Sequence, residues 1–85
     1  MVQEADLTSL DIRRIMEKLR ERYKVKGRVV AVDYGSDVND LFVRFSHEPI
    51  DDGEPSEDGL VIFHYHGDKL VAVEILDLEE FMGPE

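Results

Sequence analysis

Two acidic clusters hold the side chains best suited to chemistry in this chain. Asp33, Asp37, Asn39 and Asp40 fall close together around Gly35. Asp51, Asp52, Glu54, Glu57 and Asp58 form a second group in a stretch broken by Pro49, Gly53 and Pro55. Calcium takes about six to eight oxygens, and short loops supply them from crowded Asp and Asn side chains and turn carbonyls. Weak calcium binding is therefore the chemistry expected of both clusters, because a bound cation relieves the repulsion between neighbouring carboxylates. The plainer reading is that Asp, Asn and Gly build solvated turns without any ion. Neither cluster has the spacing of the helix-flanked calcium loop with its obligatory terminal acid.

Other residue types offer less. His64 and His66 alternate on a strand pattern, a spacing that can serve a transition metal, but no further ligands accompany them. Arg14, Lys18 and Arg22 form a basic line at helical spacing, suited to an acidic partner or simply to a solvated helix face. Glu74 lies among apolar neighbours, where burial would raise its pKa, although a salt bridge to Arg44 is the commoner fate. The phosphate-cradling glycine loop, the serine nucleophile elbow and the His-Glu-x-x-His helix are all missing, so the expectation is a non-enzymatic protein.

The chain has 85 residues, 42% hydrophobic and 35% charged, with no cysteine, which fits one domain over 1–85. Disulfides and thiolate metal sites are excluded. No apolar run reaches the roughly 20 residues of a membrane span, and no leader pattern opens the chain, so a cytoplasmic protein is expected. The net charge is −10, unevenly spread. Residues 13–28 hold eight Lys/Arg against Glu17 and Glu21, whereas 29–85 hold only Arg44 and Lys69 against fifteen acids. Such a body repels nucleic-acid backbones and attracts cations and basic proteins.

Ile12, Ile15, Met16, Leu19 and Tyr23 form one apolar stripe at helical period. They predict a helix capped by Thr8 or Ser9, running to about Lys24 and stopped by Gly27. The period then falls to two. Strands are expected over 28–33, 41–46, 60–66 and 70–76, with 47–59 as a long exposed loop. Gly67-Asp68 marks a two-residue hairpin pairing His66 with Lys69, His64 with Val71 and Ile62 with Val73. In that register Leu60, Ile62, Val71, Val73 and Ile75 lie beneath the helix. The opposite face, with Val61, Phe63 and Tyr65, then needs cover from a closing turn bearing Leu78, Phe81 and Met82, or from a second molecule.

Val32-Asp33-Tyr34 leading to Asp40-Leu41-Phe42-Val43-Arg44-Phe45, then Gly59-Leu60-Val61-Ile62, then the run from Gly67 to Asp77, together resemble a widespread family of small bacterial and archaeal domains of unknown function. That family carries an aspartate-leucine-tyrosine strand and a closing glycine-isoleucine-glutamate-isoleucine-leucine strand. Here Phe42 stands for the tyrosine and Ala72-Val73 for glycine-isoleucine. In general character the chain is also similar to small acidic hypothetical proteins of methanogenic archaea. The resemblance covers about 29–77 and implies two antiparallel hairpins in one sheet, with no catalytic residues to carry over. Some family members are thought to neutralise small basic toxins, which implies a basic protein partner.

The expected architecture is α+β: an N-terminal amphipathic helix on a four-stranded antiparallel sheet of two hairpins, with a short C-terminal helical turn. In a four-strand meander the 34–40 and 67–68 turns share one end, which lets Asp68 join the first cluster. The 51–58 cluster then meets Asp77, Glu79 and Glu80 at the other end. The expected function is an acidic binding protein whose loops take up calcium. The alternative is an interaction module for a basic protein, or a homodimer, with no dependence on ions.

Overall fold

The computed structural model describes residues 11–83, in the order α1 (Ile12–Tyr23), β1 (Ala31–Gly35), β2 (Asp40–Arg44), β3 (Asp52–Pro55), β4 (Val61–His66), β5 (Lys69–Ile75) and α2 (Leu78–Met82). The helical stripe forms as its spacing predicts, burying Ile15, Met16 and Leu19. Its N-cap is Asp11, whose side chain accepts from the Arg14 amide at 3.1 Å. Thr8 and Ser9, expected as caps, lie outside the described residues. The helix stops at Lys24, which takes the left-handed conformation at φ 61°, three residues before the expected stop at Gly27. Gly27 serves a different purpose. Its φ of 143° belongs to glycine, and a Cβ there would lie 3.2 Å from the Phe45 ring.

The sheet has five strands, not the four expected, all antiparallel in the order β1-β2-β5-β4-β3. The extra strand is β3, within the stretch expected to be loop. Its residues Asp-Gly-Glu-Pro carry no apolar alternation because all four are exposed. Glycine and proline are tolerated there because β3 is an edge strand, paired only with β4 among the described strands.

Near Gly67-Asp68 the hairpin register is as expected at His66 and Lys69, and then slips. Tyr65 pairs with Leu70 but His64 pairs with Ala72, so a bulge leaves Val71 without a partner on β4. One extra residue moves every later side chain to the other face. Val61 and Phe63, not Ile62, therefore point toward the helices. Ile62 pairs with Glu74 on the opposite face, and Val73 faces Phe63.

The core joins both helices to one side of the sheet. Ile15, Met16 and Leu19 from α1 and Leu78 and Phe81 from α2 pack with Leu41, Val43, Val61, Val73 and Ile75. Tyr23 packs edge-on to Phe63 at 5.5 Å and stacks on Phe81 at 6.4 Å. The α2 helix begins at Asp77, whose carboxylate accepts from the Glu80 amide, and ends at Gly83. It thus thickens the covered face, and among the described residues no helix lies on the opposite one. The Lys18 ammonium reaches the Met82 carbonyl at 3.0 Å, and Arg22 lies over the Phe81 ring. Two members of the basic line on α1 therefore hold the C-terminal helix in place. No helix among the described residues is long and apolar enough to cross a membrane.

Candidate functional site

β5 enters the sheet between β2 and β4, and β3 carries the chain once more along the sheet before β4 begins. That additional traverse reverses the direction of the last hairpin and redistributes the acids. The turn after β1 shares its end of the sheet with Asp58 and Asp77, while Asp68 lies at the other end. Asp51 and Asp52 also lie at that far end, beside the 67–68 turn. The two acidic poles expected from a meander form only in part: Asp58 does share an end with Asp77, but the extra strand parts Asp68 from the 34–40 turn and Asp51 and Asp52 from Asp58.

Four of the nine expected calcium ligands, Asn39, Asp51, Asp52 and Asp58, meet protein donors instead. Asn39 accepts the Tyr34 hydroxyl proton at 2.9 Å and donates to Asp77 at 3.0 Å. Asp51 accepts from the Gly67 amide and lies 3.3 Å from His66 Nδ1. Asp52 accepts from the Gly53 amide. Asp58 accepts from Ser56, the Leu60 amide and Tyr23, with Arg22 nearby. The Ser56 hydrogen bond, followed by that of the Leu60 amide, holds its carboxyl below the usual range. Asp37 is exposed in the turn after β1, Glu54 on β3 and Glu57 in the turn after it. Among the described residues, no three His, Asp or Glu side chains are grouped so as to hold a metal ion.

The remaining two, Asp33 and Asp40, belong to a different arrangement. Asp33 pairs with Phe42, Phe42 with Glu74, and Glu74 with Ile62, so one row crosses β1, β2, β5 and β4. Directly opposed residues share a face, and this is the face away from both helices. Asp40, two residues before Phe42, also lies on it and is hydrogen-bonded to Glu74. Burial, then the hydrogen bond and charge of Glu74, then the charge of Asp33 push the Asp40 carboxyl up to about 6. On the other side of Glu74, His64 Nε2 stands 3.3 Å from Oε1. The His64 ring lies 5.2 Å from Phe42 between centroids. Arg44 lies over the Phe42 ring, 5.8 Å from its centroid, and donates to the Ser46 and Glu48 carbonyls rather than to Glu74.

The result is a polar chain, Asp33–Asp40–Glu74–His64, lying on apolar ground provided by Phe42 and Ile62. Asp33, Gly35, Val38, Asp40, Phe42 and Glu74 line a shallow groove of about 310 Å³ beside it. With Asp40 against Glu74 and Asp33 close by, three carboxylates crowd one place and draw positive charge to it. Period-two alternation does mark Phe42, His64 and Glu74 individually as members of strands. Their meeting depends on the β2–β5 pairing and on the bulge at Val71, which local patterning does not reveal. Compared with known proteins, the chain matches no family model, no curated protein and no solved structure.

Proposed function

We propose that this protein is a non-enzymatic interaction module that receives a basic partner on the open face of its sheet. The observation that carries this reading is the row Asp33–Phe42–Glu74–Ile62 with Asp40 against Glu74. A lysine or arginine from a partner relieves the crowding of three carboxylates. Phe42 and Ile62 supply apolar area at the centre of the contact, where aromatic anchors contribute most. The net charge of −10 steers a basic protein toward the molecule before contact. A shallow groove on an open sheet suits the side chains of a protein surface better than an enclosed small molecule.

Weak calcium binding is the second reading. It is favoured by Asp33 and Asp40, two of the expected ligands, which line the same groove, with Asp37 exposed in the adjoining turn. An affinity of about 10⁻⁴–10⁻³ M is the range for such a site.

A backbone-amide NMR titration separates the two. A lysine- and arginine-rich peptide is expected to give saturable shifts at Asp33, Asp40, Phe42, Ile62 and Glu74. Glu74→Gln and Asp33→Asn weaken them. Saturable shifts within 33–40 or 51–58 with Ca²⁺ but none with the peptide, at matched ionic strength, replace the first reading by the second.

A further inference from the structure

The two edges of the sheet differ in kind. β3 is acidic along Asp52 and Glu54, ends in Pro55, and is exposed throughout, a combination that discourages pairing with another strand. β1 has fewer of these protections. It runs Ala-Val-Asp-Tyr-Gly with a single charge, and no described strand pairs with its outer side, where alternate backbone N–H and C=O groups face away from β2.

The chain on either side of β1 is polar in the electrostatic sense. Lys26 and Arg28, both exposed, precede it, and Asp33 and exposed Asp37 close it. Arg28 and Asp37 stand at near-equal spacing on either side of Val32. Two of the exposed large hydrophobic side chains, Val30 and Val38, also lie near the strand, one just before it and one in the turn after it. A groove lined by Ala31, Val32 and Asp33 with Phe42 and Arg44 runs beside it.

We propose that β1 is a self-pairing edge, through which two copies of this chain join antiparallel into one continuous sheet. A two-fold axis near Val32 places the basic entry of each strand against the acidic exit of the other. Arg28 then meets Asp37 of the second copy, and Asp37 meets its Arg28, the reciprocity an isologous interface requires. A parallel or head-to-tail arrangement lacks this match, since it sets like charge beside like. The free edge donors and acceptors supply the hydrogen bonds of the new ladder.

Sedimentation equilibrium of the full chain, from about 1 µM to about 1 mM, tests the pairing. The expected result is a reversible dimer whose β1 amides exchange more slowly at high concentration. Arg28→Glu and Asp37→Lys each raise Kd by about fivefold or more, and the double variant restores it, because the ion pairs re-form with exchanged signs. Both positions are exposed, and circular dichroism checks that each variant folds. A chain that stays monomeric throughout overturns the proposal, whether the edge is then empty or takes another protein's strand. A dimer indifferent to both charge reversals, with β1 amides unprotected, overturns it equally and moves the contact to another surface.

Discussion

Tyr23 donates its phenolic proton to Asp58 across 2.7 Å, tying the last turn of α1 to the turn between β3 and β4. Burial first, then Asp58, push the Tyr23 phenol up to about 12. A phenol whose folded pKa lies above its unfolded value of about 10 adds stability below pH 10, and this is lost as pH rises toward 12. Tyr23→Phe is expected to cost about 0.5–1.5 kcal/mol in urea unfolding, the net value of one hydrogen bond. In a phenolate absorbance titration, Asp58→Asn is expected to bring Tyr23 part of the way back toward 10, while burial keeps the rest of the shift.

Asp40 predicts an unusual pH dependence. Its carboxyl titrates near 6 when folded, against 3.8 when free, so the folded state holds the proton more tightly. Its contribution is favourable at low pH and declines as pH rises from about 4 to about 6. Asp40→Asn is expected to be more stable than the parent by about 1 kcal/mol at pH 7 and to lose that advantage near pH 4. Urea midpoints of the two proteins across this range give the difference directly. A constant difference means that burial and Glu74 do not raise the Asp40 carboxyl in the folded state.

Asn39 adopts φ 61° in the turn after β1, and its carbonyl accepts from the Leu78 amide at 2.8 Å. With its side chain between Tyr34 and Asp77, it fastens that turn to the start of α2. Asn39→Ala is expected to destabilise by about 1–3 kcal/mol, combining left-handed strain with lost hydrogen bonds. Asn39→Gly recovers only the backbone part. Equal losses for the two variants in thermal unfolding would assign the whole effect to the side chain.

Phe81 is 1% exposed and is the largest side chain fully enclosed in the core. Phe81→Ala is expected to cost about 3–5 kcal/mol, a large share of the stability of a domain this small. Near-ultraviolet circular dichroism is expected to weaken with it, since Tyr23 loses the ring on which it stacks.

The amino-acid sequence by itself determined the elements that bury a periodic face. The stripe Ile12, Ile15, Met16, Leu19 and Tyr23 specifies α1, alternation specifies four strands, and Asp77 with Gly83 brackets α2, because each signal lies within a few neighbouring residues. It also placed the Gly67-Asp68 hairpin and its first pair. Asp33 and Asp40 were legible as ligand-type residues, although the setting expected for them was a calcium loop. β3 left no such trace, since an exposed edge strand buries nothing and its Asp-Gly-Glu-Pro reads as turn. Tertiary structure alone decided the strand order, the bulge at Val71 and hence which face Ile62 and Val61 occupy. The candidate site follows from those decisions. Asp40, Glu74 and His64 are far apart in sequence and meet only because β5 pairs with both β2 and β4. That choice is made by the fit of Leu41, Val43, Val61, Val73 and Ile75 beneath two helices, a packing between distant residues that no local pattern encodes.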